Sequence, residues 1–223
     1  MEKELQFYRL QREQRRVSYV SRWNGTPQIL RDYNVATHAF NCANILIMLS
    51  VIQDVEPDGK LLTLLLTHDN IEAFTGDLLA PAKDLLPERW DEIESEVQNS
   101  IVERLEADDV IYRFGVYRVF PTDEDINRNI RSAPTMLLRL IDMYEFLTRA
   151  AEEYQSGNKH SNVINGLRYG TNSFNKRCQT MLELLGEECQ EFNFYKRSTE
   201  ILATSLKYMY RDAGCYSICY TDD

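Results

Sequence analysis

The stretch Lys60-Leu61-Leu62-Thr63-Leu64-Leu65-Leu66-Thr67-His68-Asp69-Asn70-Ile71-Glu72-Ala73-Phe74 decides how this chain is read. Its leucines do not alternate with polar residues, as a half-buried strand would require, and they cover nearly the whole circumference of a helix. The pattern predicts a helix from Lys60 to about Phe74, apolar almost all round and therefore central and buried. Pro57-Asp58-Gly59 makes the turn that precedes it. At its inner end a histidine and an aspartate stand side by side. A polar ring or an unpaired carboxylate in such a place is costly without a partner.

Working outward, period-3.6 patterning recurs from end to end, and no stretch alternates cleanly enough to make a strand. A first helix is expected over Glu4 to Val20, ending near Arg22-Trp23-Asn24-Gly25 with Pro27 closing it. Asn34 is placed to cap a helix running to about Gln53, whose Val35, Cys42, Ile45, Leu46, Leu49 and Ile52 form one apolar stripe. Residues 75–87 read as a loop, and Pro87 suits the first position of an acidic helix reaching about Glu106. Tyr112 to Phe120 reads either as a short strand or as irregular cover. Thr122-Asp123-Glu124-Asp125 caps another helix, which Pro134 interrupts or restarts before a periodic segment from Thr135 to Tyr154 that Gly157 ends. Helices over about His160 to Leu185 and Phe194 to Arg211 follow, with a tail to Asp223 that covers the core or frays. No proline follows Pro134, which favours long helices. The expected fold is all-α, and without repeat, low-complexity tract or linker the simplest organisation is one domain over residues 1–223.

Composition narrows the function. Lys and Arg total 25 against 35 Asp and Glu, a formal charge of −10, so the overall field repels polyanions and polymeric nucleic acid is excluded as a partner. A small phosphorylated molecule remains compatible, because a metal and one or two arginines reverse the potential locally. The uninterrupted apolar runs, Ile45 to Leu49 and Leu64 to Leu66, are far shorter than the roughly 20 residues of a membrane span. Met1-Glu2-Lys3-Glu4 has no apolar signal segment, which predicts a cytoplasmic protein whose five cysteines are structural thiols. The nine scattered glycines make neither a dinucleotide fingerprint nor a P-loop, and no Gly-x-Ser-x-Gly elbow occurs.

Only three histidines exist, and two fall on apolar faces. His38 shares a face with Val35, Cys42 and Ile45, and His68 follows the leucine run with Asp69 beside it. Glu72, one helical turn after His68, is placed to hang over whatever His68 ligates, a general-base position. Asp142 lies in phase with Leu138 and Phe146, an acid on an apolar row. Two imidazoles and two carboxylates make a mixed nitrogen and oxygen set for a divalent transition metal, with room left for water and a phosphate oxygen. The competing reading makes each histidine a satisfied core residue and pairs Asp142 with Arg139 or Arg149. His160 reads as a surface residue.

This set resembles the metal-binding set of the HD-domain phosphohydrolases. Arg22-Trp23, the run from Thr67 through His68-Asp69-Asn70-Ile71-Glu72-Ala73-Phe74-Thr75-Gly76-Asp77 to Leu78, Pro81-Ala82-Lys83 and Asp142 are similar to the bacterial 5'-deoxynucleotidases. The likeness spans about residues 18–158, leaving helices over 159–211 outside it, and extends to the phage deoxyadenosine triphosphate triphosphohydrolases. It implies an HD-type helical bundle in which His38, His68, Asp69 and Asp142 hold one divalent metal, Co, Mn, Zn or Fe. It further implies that Glu72 activates or relays a proton to the attacking water and Arg22 binds the phosphate. Trp23 would pack against the sugar where a ribose carries its 2'-hydroxyl, Asp77 would accept from the 3'-hydroxyl, and Lys83 is a looser phosphate candidate. Thr37 departs from the glutamate common before the first histidine, which touches the surroundings of His38.

The expected activity is conversion of a deoxynucleoside monophosphate to deoxynucleoside and phosphate, by attack of water on the α-phosphorus. The alternative is a dNTP triphosphohydrolase, which breaks the same bond and releases triphosphate. Cyclic-dinucleotide and guanosine tetraphosphate hydrolases share the His-Asp core without the Arg-Trp context. A non-enzymatic alternative is a helical interaction module with a relic metal site. The resemblance also implies a homodimer.

Overall fold

The computed structural model describes residues 3–23, 26–30, 33–77, 87–105, 118–127, 132–185 and 193–220. The helices are α1 (Lys3–Gln14), a 3₁₀ segment (Arg15–Tyr19), α2 (Val35–Ile52), α3 (Gly59–Thr67), α4 (Glu72–Thr75), α5 (Pro87–Leu105), α6 (Asp123–Asn127), α7 (Ala133–Gln155), α8 (Ser161–Leu185), α9 (Asn193–Asp212) and α10 (Tyr216–Cys219). The fold is all-α, and among the described residues the only β pairing is an isolated antiparallel bridge, Ser21 to Asn34.

Local chemistry explains the helix ends. Asn34 Oδ1 accepts from Thr37 N at 2.9 Å, the N-cap that the sequence predicts for α2. Asp58 Oδ1 accepts from Lys60 N at 2.8 Å and starts α3. Thr122 and Asp125 satisfy each other reciprocally, Oγ1 accepting from Asp125 N and Oδ2 from Thr122 N, a capping box that opens α6. Ser132 caps α7 with a proline in its first turn, so Pro134 begins this helix without kinking one.

The chain divides into two compact units, each built from separated segments. The first comprises Met1–Asn24, Asp32–Phe40 and Leu62–Arg128; the second comprises Gly25–Arg31, Asn41–Leu61 and Asn129–Asp223. In the first, Ile71, Ile101 and Phe120 form a core with Leu10, Phe74, Val97, Val102 and Val119 packed against it. Asn70 Nδ2 donates to Val119 O, and Gln98 Nε2 to Phe120 O, so buried amides fasten residues 118–120 beside the His-Asp turn.

In the second unit α7, α8, α9 and α10 pack together. Val163, Leu167, Thr171, Phe174, Cys178, Met181 and Leu185 make the single buried stripe of α8. Gly170 lets α8 come close to α7, since a Cβ there would stand 2.8 Å from Leu147 Cδ2. Glu153, fully buried, accepts from the backbone N–H groups of Ile29 and Leu30 and from Asn158 Nδ2, and pairs with Arg149. Burial pushes the Cys178 thiol up to about 12, in line with a structural thiol, and Cys215 and Cys219 are buried, so the tail as far as Tyr220 is cover. Cys189 and most of the ambiguous stretch from Tyr112 to Phe120 lie outside the described residues.

The structure corrects several expectations. The helix expected from Lys60 to Phe74 stops at Thr67, and His68 to Ile71 form turns before α4. Nor is that helix buried all round: Leu61 and Leu65 are inside but Leu66 is exposed, because leucine count alone does not say how many neighbours a helix has. The first helix tightens to 3₁₀ after Gln14, with Leu5 and Tyr8 exposed. Finally, α2 is long and apolar enough, by length and composition, to cross a membrane, a property that uninterrupted runs did not reveal. Its buried residues, Val35, His38, Ala39, Cys42, Ala43, Ile45, Leu46, Leu49 and Ser50, mark it as a core helix.

Candidate metal and phosphate site

The first unit carries Arg22, Trp23, His38, His68, Asp69, Glu72 and Asp77. Residues 20–23 and 33–35 run antiparallel, with Arg22 N donating to Tyr33 O at 3.2 Å and Val35 N to Val20 O at 3.0 Å. This pairing brings Arg22 and Trp23 beside the start of α2. Trp23 has φ of +63°, a left-handed backbone that a bulky residue rarely adopts and that costs on the order of 1–3 kcal/mol. Asp77 offsets the cost: its Oδ2 accepts from Trp23 N at 2.8 Å, and both residues are buried. One carboxylate oxygen of Asp77 is thus engaged by the backbone, a role in addition to the sugar contact implied for it.

His38, in the first turn of α2, is fully buried, and its Nε2 lies 3.6 Å from Asp69 Oδ2. His68 comes from the turn after α3, and its Nε2 lies 3.5 Å from the same oxygen. The two imidazole centroids are 5.4 Å apart. His68 Nδ1 stands 2.9 Å from Leu65 O, an arrangement in which Nδ1–H donates to the carbonyl and Nε2 carries the lone pair. Three donor atoms of metal-ligating type therefore face one another, which fits a divalent cation bound by nitrogen and oxygen.

The site also holds charge of its own. Arg22 Nη1 forms an ion pair with Asp69 Oδ2, and Glu72 Oε2 is 4.0 Å from the same guanidinium nitrogen. The turn between His68 and Glu72 explains this placement. Asn70 N bonds to Thr67 O and Glu72 N to Asp69 O, each three residues back, so the chain bends and turns Glu72 toward Arg22. The structure thus brings together Arg22, His38, His68, Asp69 and Glu72, and pairs Trp23 with Asp77. Asp142 lies half-buried on α7, and Cys42 is buried on α2; both belong to the second unit. Lys83 lies outside the described residues. The sequence assigns no role to Tyr33 or Asn70, since neither residue type announces a site and their contacts are made by folding.

An all-α fold thus presents a buried His-Asp turn that faces a second histidine, with an arginine and a glutamate alongside. Residues 10–187 match the model of the family described as 5'-deoxynucleotidase YfbR-like, and the chain belongs to that family. It is accordingly a metal-dependent phosphoric ester hydrolase. Among solved structures it resembles an HD-domain phosphohydrolase from Listeria innocua at 16% identity and a TM-score of 0.61, covering 91% of this chain and 98% of the other. A conserved hypothetical protein from Pyrococcus furiosus is similar at 21% identity and a TM-score of 0.53, covering 89% and 98%. No curated protein matches the chain.

Proposed function

We propose that this protein hydrolyses deoxynucleoside 5'-monophosphates to deoxynucleoside and phosphate. The observation that carries the reading is the meeting of His38 Nε2 and His68 Nε2 at Asp69 Oδ2, with Arg22 and Glu72 at the same carboxylate. His38, His68 and Asp69, with Asp142 as the fourth ligand the resemblance implies, would hold one divalent cation of the Co, Mn, Zn or Fe type. When bound, the cation lowers the pKa of water and polarises the phosphoryl oxygens. Arg22 exchanges its carboxylate partner for phosphoryl oxygens and offsets charge developing on them. Glu72, buried and within reach of the same guanidinium, takes the proton of the attacking water. The Trp23 indole and the second Asp77 oxygen meet the deoxyribose at C2' and at the 3'-hydroxyl.

The expected result of a substrate panel is phosphate release from dNMPs, with ribonucleotides turned over poorly and no triphosphate released from dNTPs. Triphosphate release from dATP would transfer the protein to the triphosphohydrolase reading, and no release from any deoxynucleotide would leave the relic-site alternative.

The proposal treats residues 1–223 as one cytoplasmic domain, for which the free thiols of Cys42, Cys178, Cys215 and Cys219 are suited. It includes a homodimer. Ile47, Met48, Val51 and Ile52 are exposed at helical spacing along the end of α2, a helix without Asp, Glu, Lys or Arg, and Val55 is exposed just beyond it. An exposed apolar patch of this kind suits a contact between two copies of the chain. The lack of charge also suits self-association of a protein at −10. Met48→Glu with Val51→Glu is expected to halve the mass seen by light scattering; an unchanged mass would remove this surface from the proposal.

A further inference from the structure

Tyr33 is buried one residue ahead of the α2 cap, and it touches three members of the site. Its carbonyl accepts from Arg22 N. Its ring stands edge-on to the Trp23 indole, centroids 6.5 Å apart at 86°, and edge-on to the His38 imidazole at 6.3 Å and 85°. Its hydroxyl oxygen is 3.2 Å from His38 Nδ1. An imidazole that offers Nε2 to a cation carries its proton on Nδ1, and the group that accepts this proton sets both tautomer and ring orientation. For His68 that group is the Leu65 carbonyl. Thr37, adjacent to His38 in sequence, is occupied at the helix cap, its N and Oγ1 both donating to Asn34 Oδ1.

We propose that Tyr33 is the positioning residue of this site: its hydroxyl accepts Nδ1–H of His38 and aims Nε2 at Asp69, while its ring edge seats Trp23. One side chain thereby couples the cation end of the pocket to the sugar end. The inference rests on the phosphohydrolase reading above and adds a residue to it.

Tyr33→Phe keeps the ring and removes only the oxygen. In full-length protein stripped with a chelator and titrated with Co²⁺, the expected result is a dissociation constant raised about 10–100-fold and altered visible d–d bands. The melting temperature of the stripped variant should stay close to that of the parent. Tyr33→Leu should in addition raise KM for a dNMP, because Trp23 loses its edge contact. Wild-type Co²⁺ affinity and unchanged bands in Tyr33→Phe would overturn the proposal and leave the phosphohydrolase reading standing. A wild-type protein that binds no Co²⁺ would overturn both. A second measurement needs no variant: two-bond ¹H–¹⁵N correlation in the stripped wild-type protein should show His38 as the Nδ1–H tautomer, and the Nε2–H tautomer would overturn the role.

Discussion

Asp69→Asn is expected to leave a protein without bound metal and with activity reduced by about a thousandfold or more, several kcal/mol of barrier at about 1.4 kcal/mol per tenfold. Asparagine has nearly the same shape but no charge. Asp69 Oδ2 is the atom on which both imidazoles and the Arg22 guanidinium converge, so its charge is what gathers a cation and an arginine in one place. The side chains of Arg22 and Asp69 keep only 13% and 17% of their exposure, so Arg22 would also lose its counter-charge where water replaces it poorly. A lower melting temperature should accompany the loss. Elemental analysis of metal per chain beside a phosphate-release assay checks this, and a variant with full metal content and full rate would show that Asp69 is no ligand.

Glu72→Gln is expected to separate binding from chemistry. The side chain is buried, lies beside Arg22, and in its amide form keeps its size while losing the ability to take a proton. Metal content and KM should remain near those of the parent while kcat falls by about 10²–10⁴-fold, the contribution of a positioned general base. Steady-state kinetics with metal analysis on the same preparation makes the test; an undiminished kcat would move the proton to another group.

The helical framework was legible because its signals are local. Asn34 caps α2, Asp58 opens α3 and the Thr122–Asp125 pair caps α6, each satisfying backbone groups within a few residues, while Pro134 in the first turn of α7 has no N–H to satisfy. The break after Thr67 was not legible. Periodicity continues through His68 to Phe74, and what ends the helix is a set of turns held by Asn70 reaching Val119, 49 residues away. The consequence was functional: Glu72 was expected one regular turn beyond His68, and the bend is what carries it toward Arg22. In the same way, the exposed face of Leu66 could not be told from the buried faces of Leu61 and Leu65, because all three are leucine.

By itself the sequence determined that the fold is all-α and which few polar residues stand among apolar ones: His38, His68, Asp69, Glu72 and Asp142. Hydrophobic spacing records which side of each helix turns inward, and a polar residue on that side is visible as an exception. Only the tertiary structure decided how those side chains are aimed. The Trp23 backbone is held by Asp77 from 54 residues away, and Tyr33 stands against both Trp23 and His38. Such contacts join residues distant in the chain, so they exist only once folding has closed the loops between them, and no local pattern encodes them.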